Sequence, residues 1–317
     1  MIRGAAALLA LCLCGCASVT PTHPDAFAFG VMGDTQYNPR EEIAFVEMLS
    51  RVNREDLAFV VHVGDITGGR DCTDELYARR KLEFDSSAHP LIYTPGDNEW
   101  TDCRRKKSGM RDPLERLERL REVFFSDRYS LGARRLEMMV QDRCIEGPEG
   151  CRCGPYPENR FWTRGGVRFV TLNVPGSENN TGHDRANDAE ARCRNEANGL
   201  WLEQAVRASE RSETRALVIL LQANPWHSRH RAYDALLRQV QDSARRVKRP
   251  VLFVHGDTHN QRVDQPFLDT LGNPIHNLVR LETFGSPFIG WVKVTVDPDD
   301  PQVFRFDPRL HALVPPK

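Results

Sequence analysis

Residues 57–67 read LAFVVHVGDIT, an apolar run of strand length closed by Gly64 and Asp65. Such a run, rich in β-branched and aromatic side chains and ended by turn residues, reads as a β-strand. Glycine before the acid allows the sharp turn that presents a carboxylate at the strand end. The same arrangement recurs along the chain. Phe27 to Met32 is followed by Gly33-Asp34-Thr35-Gln36, and Pro90 to Thr94 by Gly96-Asp97-Asn98-Glu99-Trp100. Ala216 to Leu221 runs into Gln222-Ala223-Asn224-Pro225-Trp226-His227, and Val251 to His255 into Gly256-Asp257-Thr258-His259.

Helical periodicity fills the intervals at about 40–53, 73–84, 113–125, 196–210 and 230–247. Val167 to Asn173, Leu278 to Phe284 and Trp291 to Val296 read as further strands. The alternation predicts a single α/β domain over 26–310 with largely parallel strands. Loops after successive strands then share one rim of the sheet, where open α/β sheets bind ligands. Stretches 126–160, with three cysteines and three prolines, and 176–199, rich in Asn, Gly and charge, are expected to be long loops.

The N-terminus reads as a targeting segment. Arg3 precedes the apolar run Ala5 to Leu13, which is too short to span a bilayer. Leu13-Cys14-Gly15-Cys16-Ala17 resembles the bacterial lipoprotein cleavage box. That resemblance implies a signal peptide over 1–16 and lipidation of Cys16. Residues 17–25 would be a tether, and the protein would be anchored to a membrane of the cell envelope, facing the periplasm. Hydrophobic residues at 40% and charged residues at 27% fit a globular protein rather than a disordered one. A formal net charge of −1 argues against nonspecific nucleic-acid binding.

Six cysteines remain beyond the targeting segment: Cys72, Cys103, Cys144, Cys151, Cys153 and Cys193. An even number in an exported chain predicts disulfides, with the connectivity open. A zinc site on the last four is the alternative, but the paired Cys-x-x-Cys spacing is missing. Cys72 and Cys103 both follow Gly-Asp turns, so a bridge between them would brace two loops of the rim.

One Gly-Asp pair marks an ordinary turn. Five strand ends in succession, each followed by oxygen or nitrogen donors, define a site. Four carboxylates on one rim repel unless cations neutralise them. Two divalent ions balance that charge, and paired metals are a known solution for phosphoester hydrolysis.

In order, strand context and spacing, these motifs resemble the calcineurin-like metallophosphoesterase superfamily. That pattern reads Asp-x-His, Gly-Asp, Gly-Asn-His-Glu/Asp, a His near a Pro, and Gly-His-x-His. The resemblance covers nearly all of the chain beyond the targeting segment. It implies a four-layer α/β/β/α sandwich with two metals at the strand ends. Asp34, Gln36, Asp65 and His259 would hold the first metal. Asp65, Asp97, Gln222 and Asp257 would hold the second, with Asp65 bridging. This chain departs from the pattern at Gln36, Asp97, Gln222 (or Asn224) and Asp257, and Asn98 stands where the catalytic His is usual. It looks like a divergent bacterial branch with a Gly-Asp-Asn-Glu-Trp motif. The oxygen-rich set favours Mn²⁺ or Mg²⁺ over Zn²⁺, with Fe also open.

The expected function is metal-dependent hydrolysis of phosphate esters by a hydroxide that two metals activate. The alternative is a non-catalytic metal- or ligand-binding envelope lipoprotein on the same fold. Asn98 can hydrogen-bond a phosphoryl oxygen but cannot donate a proton at neutral pH. His255, His227 and His183 are therefore the candidates for general acid, with His255 foremost, although each also fits a structural role. The basic run Arg104 to Lys107 reads either as a solvated face or as phosphate attraction beside the site. The substrate's identity and the oligomeric state are not encoded in these motifs.

Overall fold

The computed structural model describes residues 24–148 and 150–315. The signal segment, Cys16 and most of the tether lie outside them. Among the described residues, no helix is long and apolar enough to cross a membrane.

Two sheets form the centre. Strands are numbered along the chain. The first sheet holds β1 (Phe27–Met32), β2 (Val60–His62), β3 (Leu91–Tyr93), β13 (Phe288–Val296) and β14 (Phe304–Leu313), in the order β14-β13-β1-β2-β3. The second holds β4 (Met139–Gln141), β7 (Tyr156–Arg164), β8 (Val167–Thr171), β9 (Ala216–Leu220), β10 (Val251–His255), β11 (Arg262–Asp264) and β12 (Leu278–Glu282). Its order is β11-β12-β10-β9-β8-β7-β4. Strands β5 (Ile145–Gly147) and β6 (Gly150–Cys153) form a separate hairpin.

Alternation along the strands sorts the apolar residues into three layers of core. Phe29, Val31 and Val61 of the first sheet, with Phe59 just before β2, meet Trp162, Phe169, Val218 and Val254 of the second. Their rings interlock: Phe29 stacks on Phe59 at 5.2 Å, and Trp162 on Phe169 at 5.0 Å. The outer face of the first sheet packs on α1 (Pro39–Val52), α2 (Asp74–Asp85) and α3 (Pro113–Phe124). The outer face of the second packs on α4 (Arg185–Ser209) and α5 (Asp234–Val247). The protein is thus a four-layer α/β/β/α sandwich, the architecture that the resemblance implied.

Helix starts follow local chemistry. Asn38 accepts from the backbone N–H groups of Arg40 and Glu41 with Pro39 at the first helical position, and Asp112 accepts from Leu114 ahead of Pro113. Three expectations need correction. The sheets are mixed rather than largely parallel, because β13, β14, β11, β7 and β4 all pair antiparallel. Helix α4 begins at Arg185, inside the stretch expected to be loop. Asp184 caps it, and its buried face there is polar (Asn187, Arg194, Asn198), so no apolar stripe marks it. The stretch 126–160 carries β4, the β5–β6 hairpin and the start of β7.

The six cysteines pair as Cys72–Cys103, Cys144–Cys151 and Cys153–Cys193. The last ties the hairpin to α4. The first joins the loop after β2 to the loop after β3, with Cα atoms 5.8 Å apart and a sequence separation of 31. Closing a loop of that size stabilises by about 3 to 4 kcal/mol in the chain-entropy account. Replacing both Cys72 and Cys103 by serine is expected to lower stability by that amount in urea unfolding. An unchanged midpoint would refute it.

Candidate metal centre and adjoining cleft

Strands β1, β2 and β3 run parallel to one another, as do β8, β9, β10 and β12. Their C-terminal ends bring the predicted residues to one place. Asp34, Gln36, Asp65, Asp257 and His259 all have positive φ, between 52° and 75°. Such backbone is uncommon outside glycine and concentrates at functional sites. Here it turns five successive side chains inward from the strand ends. Glycine is needed at two close approaches: a Cβ on Gly96 would overlap the Asp65 carboxylate, and one on Gly256 would overlap that of Asp34.

The loops are cross-linked through the acids. Asp34 Oδ1 accepts from the Asp257 N–H at 2.8 Å. Asp65 accepts from the Asn98 N–H at 3.1 Å, from the Asn98 amide at 3.0 Å and from the Tyr37 hydroxyl at 3.1 Å. Gln222 donates to Asp97 Oδ1 at 3.3 Å and accepts the Gly176 N–H at 2.6 Å. Gly176 lies against both acids: a Cβ there would fall 2.9 Å from Asp97 Oδ1 and 2.9 Å from Asp257 Oδ1. Asp34, Asp65 and Asp97 are buried, and among the described residues none of the four acids is paired with a lysine or arginine.

The electrostatics follow. Burial, reinforced by the neighbouring carboxylates, pushes Asp34 and Asp65 well above the usual carboxylate range. Burial and Asp97 push Asp257 up to about 7. His259 is held below its ordinary value by burial. Its Nδ1 lies 2.6 Å from the Ser286 carbonyl, so Nδ1 carries the proton and Nε2 presents a lone pair. That Nε2 is 3.8 Å from Asp34 Oδ1. Asp34 Oδ2 and Gln36 Oε1 are buried without a hydrogen-bond partner.

This donor set suits hard divalent cations: four carboxylates short of positive charge, two orphaned oxygens and one neutral imidazole nitrogen. Yet among the described residues no three His, Cys, Asp or Glu side chains are drawn together into a metal-ligand group. Several donors are engaged by the protein instead. Ser177 Oγ donates to Asp97 at 2.6 Å, Asn98 holds Asp65, and Gln36 donates its amide to Glu83 at 2.6 Å.

Of the alternatives at 222–224, Gln222 reaches the cluster with its side chain. Asn224 contributes its backbone N–H to Asp257 and spends its amide on Thr258. His255 is a correction. Its ring is fully buried beside Phe253 and Trp226, Nδ1 faces its neighbour's carbonyl, and burial pushes its pKa down to about 3. It stays neutral and cannot donate a proton as imidazolium. His62 is likewise a core histidine, ringed by Phe45, Phe84 and Tyr93. His183 sits exposed near Arg104 and Asp184. His227 is exposed and lines an open cleft of about 560 Å³ that shares Asp257 with the cluster. In the basic run, Arg105 pairs with Asp102 and donates to Ser177, which places it at the rim.

Three site residues carried no sequence signal of role. Tyr37 sits between Asp65 and His259: its hydroxyl hydrogen goes to Asp65, and its oxygen lies 3.2 Å from the imidazole Nε2. Glu99 is fully buried and accepts from the backbone N–H groups of Asp65, Ile66 and Gly96 and from the Tyr93 hydroxyl, clamping two loops together. Ser177 opens a turn in which Ser177 to Asn180 are all left-handed. The Gly-Asp-Asn-Glu motif displayed Glu99, but a supporting role shows only once its partners are known.

No protein-family model matches this chain, and no curated protein matches it. Among solved structures it is similar to vacuolar protein sorting 29 from Cryptosporidium parvum, at 11% identity and a TM-score of 0.34, over 90% of this chain and 97% of that one. It is also similar to a single mutant of Vps29 from Entamoeba histolytica, at 11% identity and a TM-score of 0.32, over 89% and 98%. At TM-scores below 0.5 these likenesses assign no activity.

Proposed function

We propose that the protein hydrolyses phosphate esters with the help of two divalent cations held by Asp34, Gln36, Asp65, Asp97, Gln222, Asp257 and His259. One observation carries the reading: four carboxylates converge on one rim, three of them with raised pKa, and Asp34 Oδ2 is buried with nothing to bond. Cations bound there would neutralise phosphoryl oxygens and make water a nucleophile at neutral pH. The chain's own groups set the geometry. Glu99 fixes the loops that carry Asp65 and Asp97. Tyr37 orients Asp65, and the Ser286 carbonyl orients His259. Asn98 and Arg105 offer N–H donors to a phosphoryl group at the rim.

We assign protonation of the departing alkoxide to His227, which lines that cleft. His227→Gln is expected to slow alkyl phosphate hydrolysis about 10²-fold, while 4-nitrophenyl phosphate, whose leaving group needs no proton, changes little. Equal losses on both esters would remove His227 from that role.

The non-catalytic alternative keeps one point in its favour: Ser177, Asn98 and the Gly176 N–H already occupy Asp97, Asp65 and Gln222. One experiment separates the two. The protein is stripped of metal, then assayed on aryl phosphate mono- and diesters with Mn²⁺, Mg²⁺ or Zn²⁺ restored, beside Asp65→Ala. Metal-dependent turnover that Asp65→Ala abolishes supports the hydrolase. A folded protein that neither turns over nor binds any of these metals would refute it.

A further inference from the structure

Strand direction gives the molecule two poles. The carboxylates stand at the C-terminal ends of the parallel strands. The turns that lead into β1, β8, β9 and β10 lie at the opposite end, and they form one continuous row. A Cβ on Gly165, before β8, would fall 2.7 Å from the Asp25 carbonyl oxygen, before β1. The Arg215 N–H donates to the Gly166 carbonyl at 2.9 Å, and the Leu217 N–H to that of Pro250 at 3.1 Å.

This row is basic. Arg164, Arg211, Arg215, Lys248 and Arg249 are all exposed on it, and among the described residues none of them pairs with a carboxylate. The acids of the same turns are already engaged: Glu213 with Arg168, Glu210 with Arg246, and Asp25 as well. In a chain of net charge −1 this is a separation of charge, with unpaired cations gathered at the pole opposite the carboxylates. Among the described residues, no large exposed hydrophobic side chain lies in these turns. A partner there would be held by charge alone.

The course of the chain selects the polyanion. Pro24, the first described residue, is next to Asp25 in this row, and Cys16, which the lipoprotein-like box marks for lipidation, lies eight residues before it. Eight residues reach at most about 29 Å. An anchor at Cys16 keeps this pole within that distance of a bilayer, where each lysine or arginine favours an anionic surface by about fivefold. We propose that Arg164, Arg211, Arg215, Lys248 and Arg249 form a docking surface for anionic phospholipid, on which the protein stands with its carboxylates pointing away from the membrane. Strand β1, six residues long, separates the two ends by about 20 Å. Substrates then reach the rim from solution rather than from the leaflet.

Three lysines read the orientation. Lys248 lies on the basic pole, while Lys106 and Lys107 are exposed next to Arg105 at the rim. The full chain is mixed with vesicles of phosphatidylcholine, alone or with an equal part of phosphatidylglycerol, and acetylation by acetic anhydride is followed by mass spectrometry. With phosphatidylglycerol, Lys248 is expected to react about fivefold more slowly or less, with Lys106 and Lys107 unchanged. Raising NaCl to about 1 M, which screens charges beyond about 3 Å, should restore its rate. Arg211→Gln, Arg215→Gln and Arg249→Gln together should remove the protection without lowering the melting temperature, since these side chains hold no partner. Equal labelling of Lys248 on both vesicles would refute the docking surface, as would protection that survives high salt. Protection of Lys106 and Lys107 in place of Lys248 would show the rim facing the membrane. Protection of Lys248 by a DNA oligonucleotide but not by phosphatidylglycerol would assign the pole to nucleic acid and overturn the membrane reading.

Discussion

Replacing Asp34 by asparagine is expected to abolish hydrolysis and, in the metal-free protein, to raise stability. Asp34 is fully buried, and burial together with Asp257 and Asp97 disfavours its charged form. Its Oδ1 is used by the Asp257 N–H, while its Oδ2 has no partner. Asparagine keeps the accepting oxygen. In place of the orphan it sets an N–H₂ donor among carboxylates, so one buried charge goes and no hydrogen bond is lost. Relieving strain of this kind at functional sites commonly gains about 1 to 2 kcal/mol. Activity should fall on the order of 10³-fold, because the amide presents a hydrogen to a cation where the carboxylate presented a charge. Thermal unfolding in chelator and hydrolysis with Mn²⁺, measured on the same preparations, check both halves. A variant that is less stable without metal, or one that keeps its activity, would show that Asp34 is a structural acid.

The reason for that trade-off was partly visible in the sequence. The strand ends and their acids could be read because Gly-Asp after an apolar run is a local signal: the turn chemistry and the donor sit in adjacent residues. Every strand read from an apolar run is a strand in the structure, although Leu57 to Val63 shortens to Val60–His62. What escaped was non-local. Strand β14 alternates weakly and is largely exposed, so its antiparallel pairing with β13 comes from tertiary context. The first half of α4 buries asparagine and arginine, because Arg194 bonds Asn179 and Glu190 rather than apolar neighbours. His255 and His259 both belong to the last motif, read as a general-acid candidate and a metal ligand. The strand buries the first in an aromatic cluster, and a left-handed turn carries the second into the site. Tyr37 and Ser177, and Glu99 in its bond to the Asp65 N–H, reach partners 28 to 222 residues away, a separation that no motif spans.

Without metal, the carboxylates should make the protein less stable as pH rises from about 4 to about 7, and a divalent cation should reverse that. Asp257 shows the sign. Its pKa in the folded protein is pushed up to about 7, against 3.8 as its ordinary value. Between those values the folded chain holds a proton that the unfolded chain has released, so stability falls with rising pH. At about 1.4 kcal/mol per pKa unit, the loss at and above neutral pH is about 4 kcal/mol. His62 and His255 act oppositely. Burial pushes both down to about 3, so between pH 3 and 6.5 the unfolded chain takes up protons that the folded one refuses, and stability rises with pH. The wild-type profile below 6.5 therefore mixes two opposed slopes, and Asp257→Asn separates them. Urea unfolding in chelator from pH 4 to 8 should show the variant gaining on the wild type across that window, with the gap levelling off above 7. Millimolar Mn²⁺ should then close the gap from the wild-type side. A cation that binds only the folded carboxylates holds them ionised and stabilises by mass action, and the variant has lost one of those ligands. Parallel pH profiles would mean that Asp257 is not strained by its neighbours. A wild type indifferent to every divalent cation at pH 8 would mean that the cluster is not a metal centre.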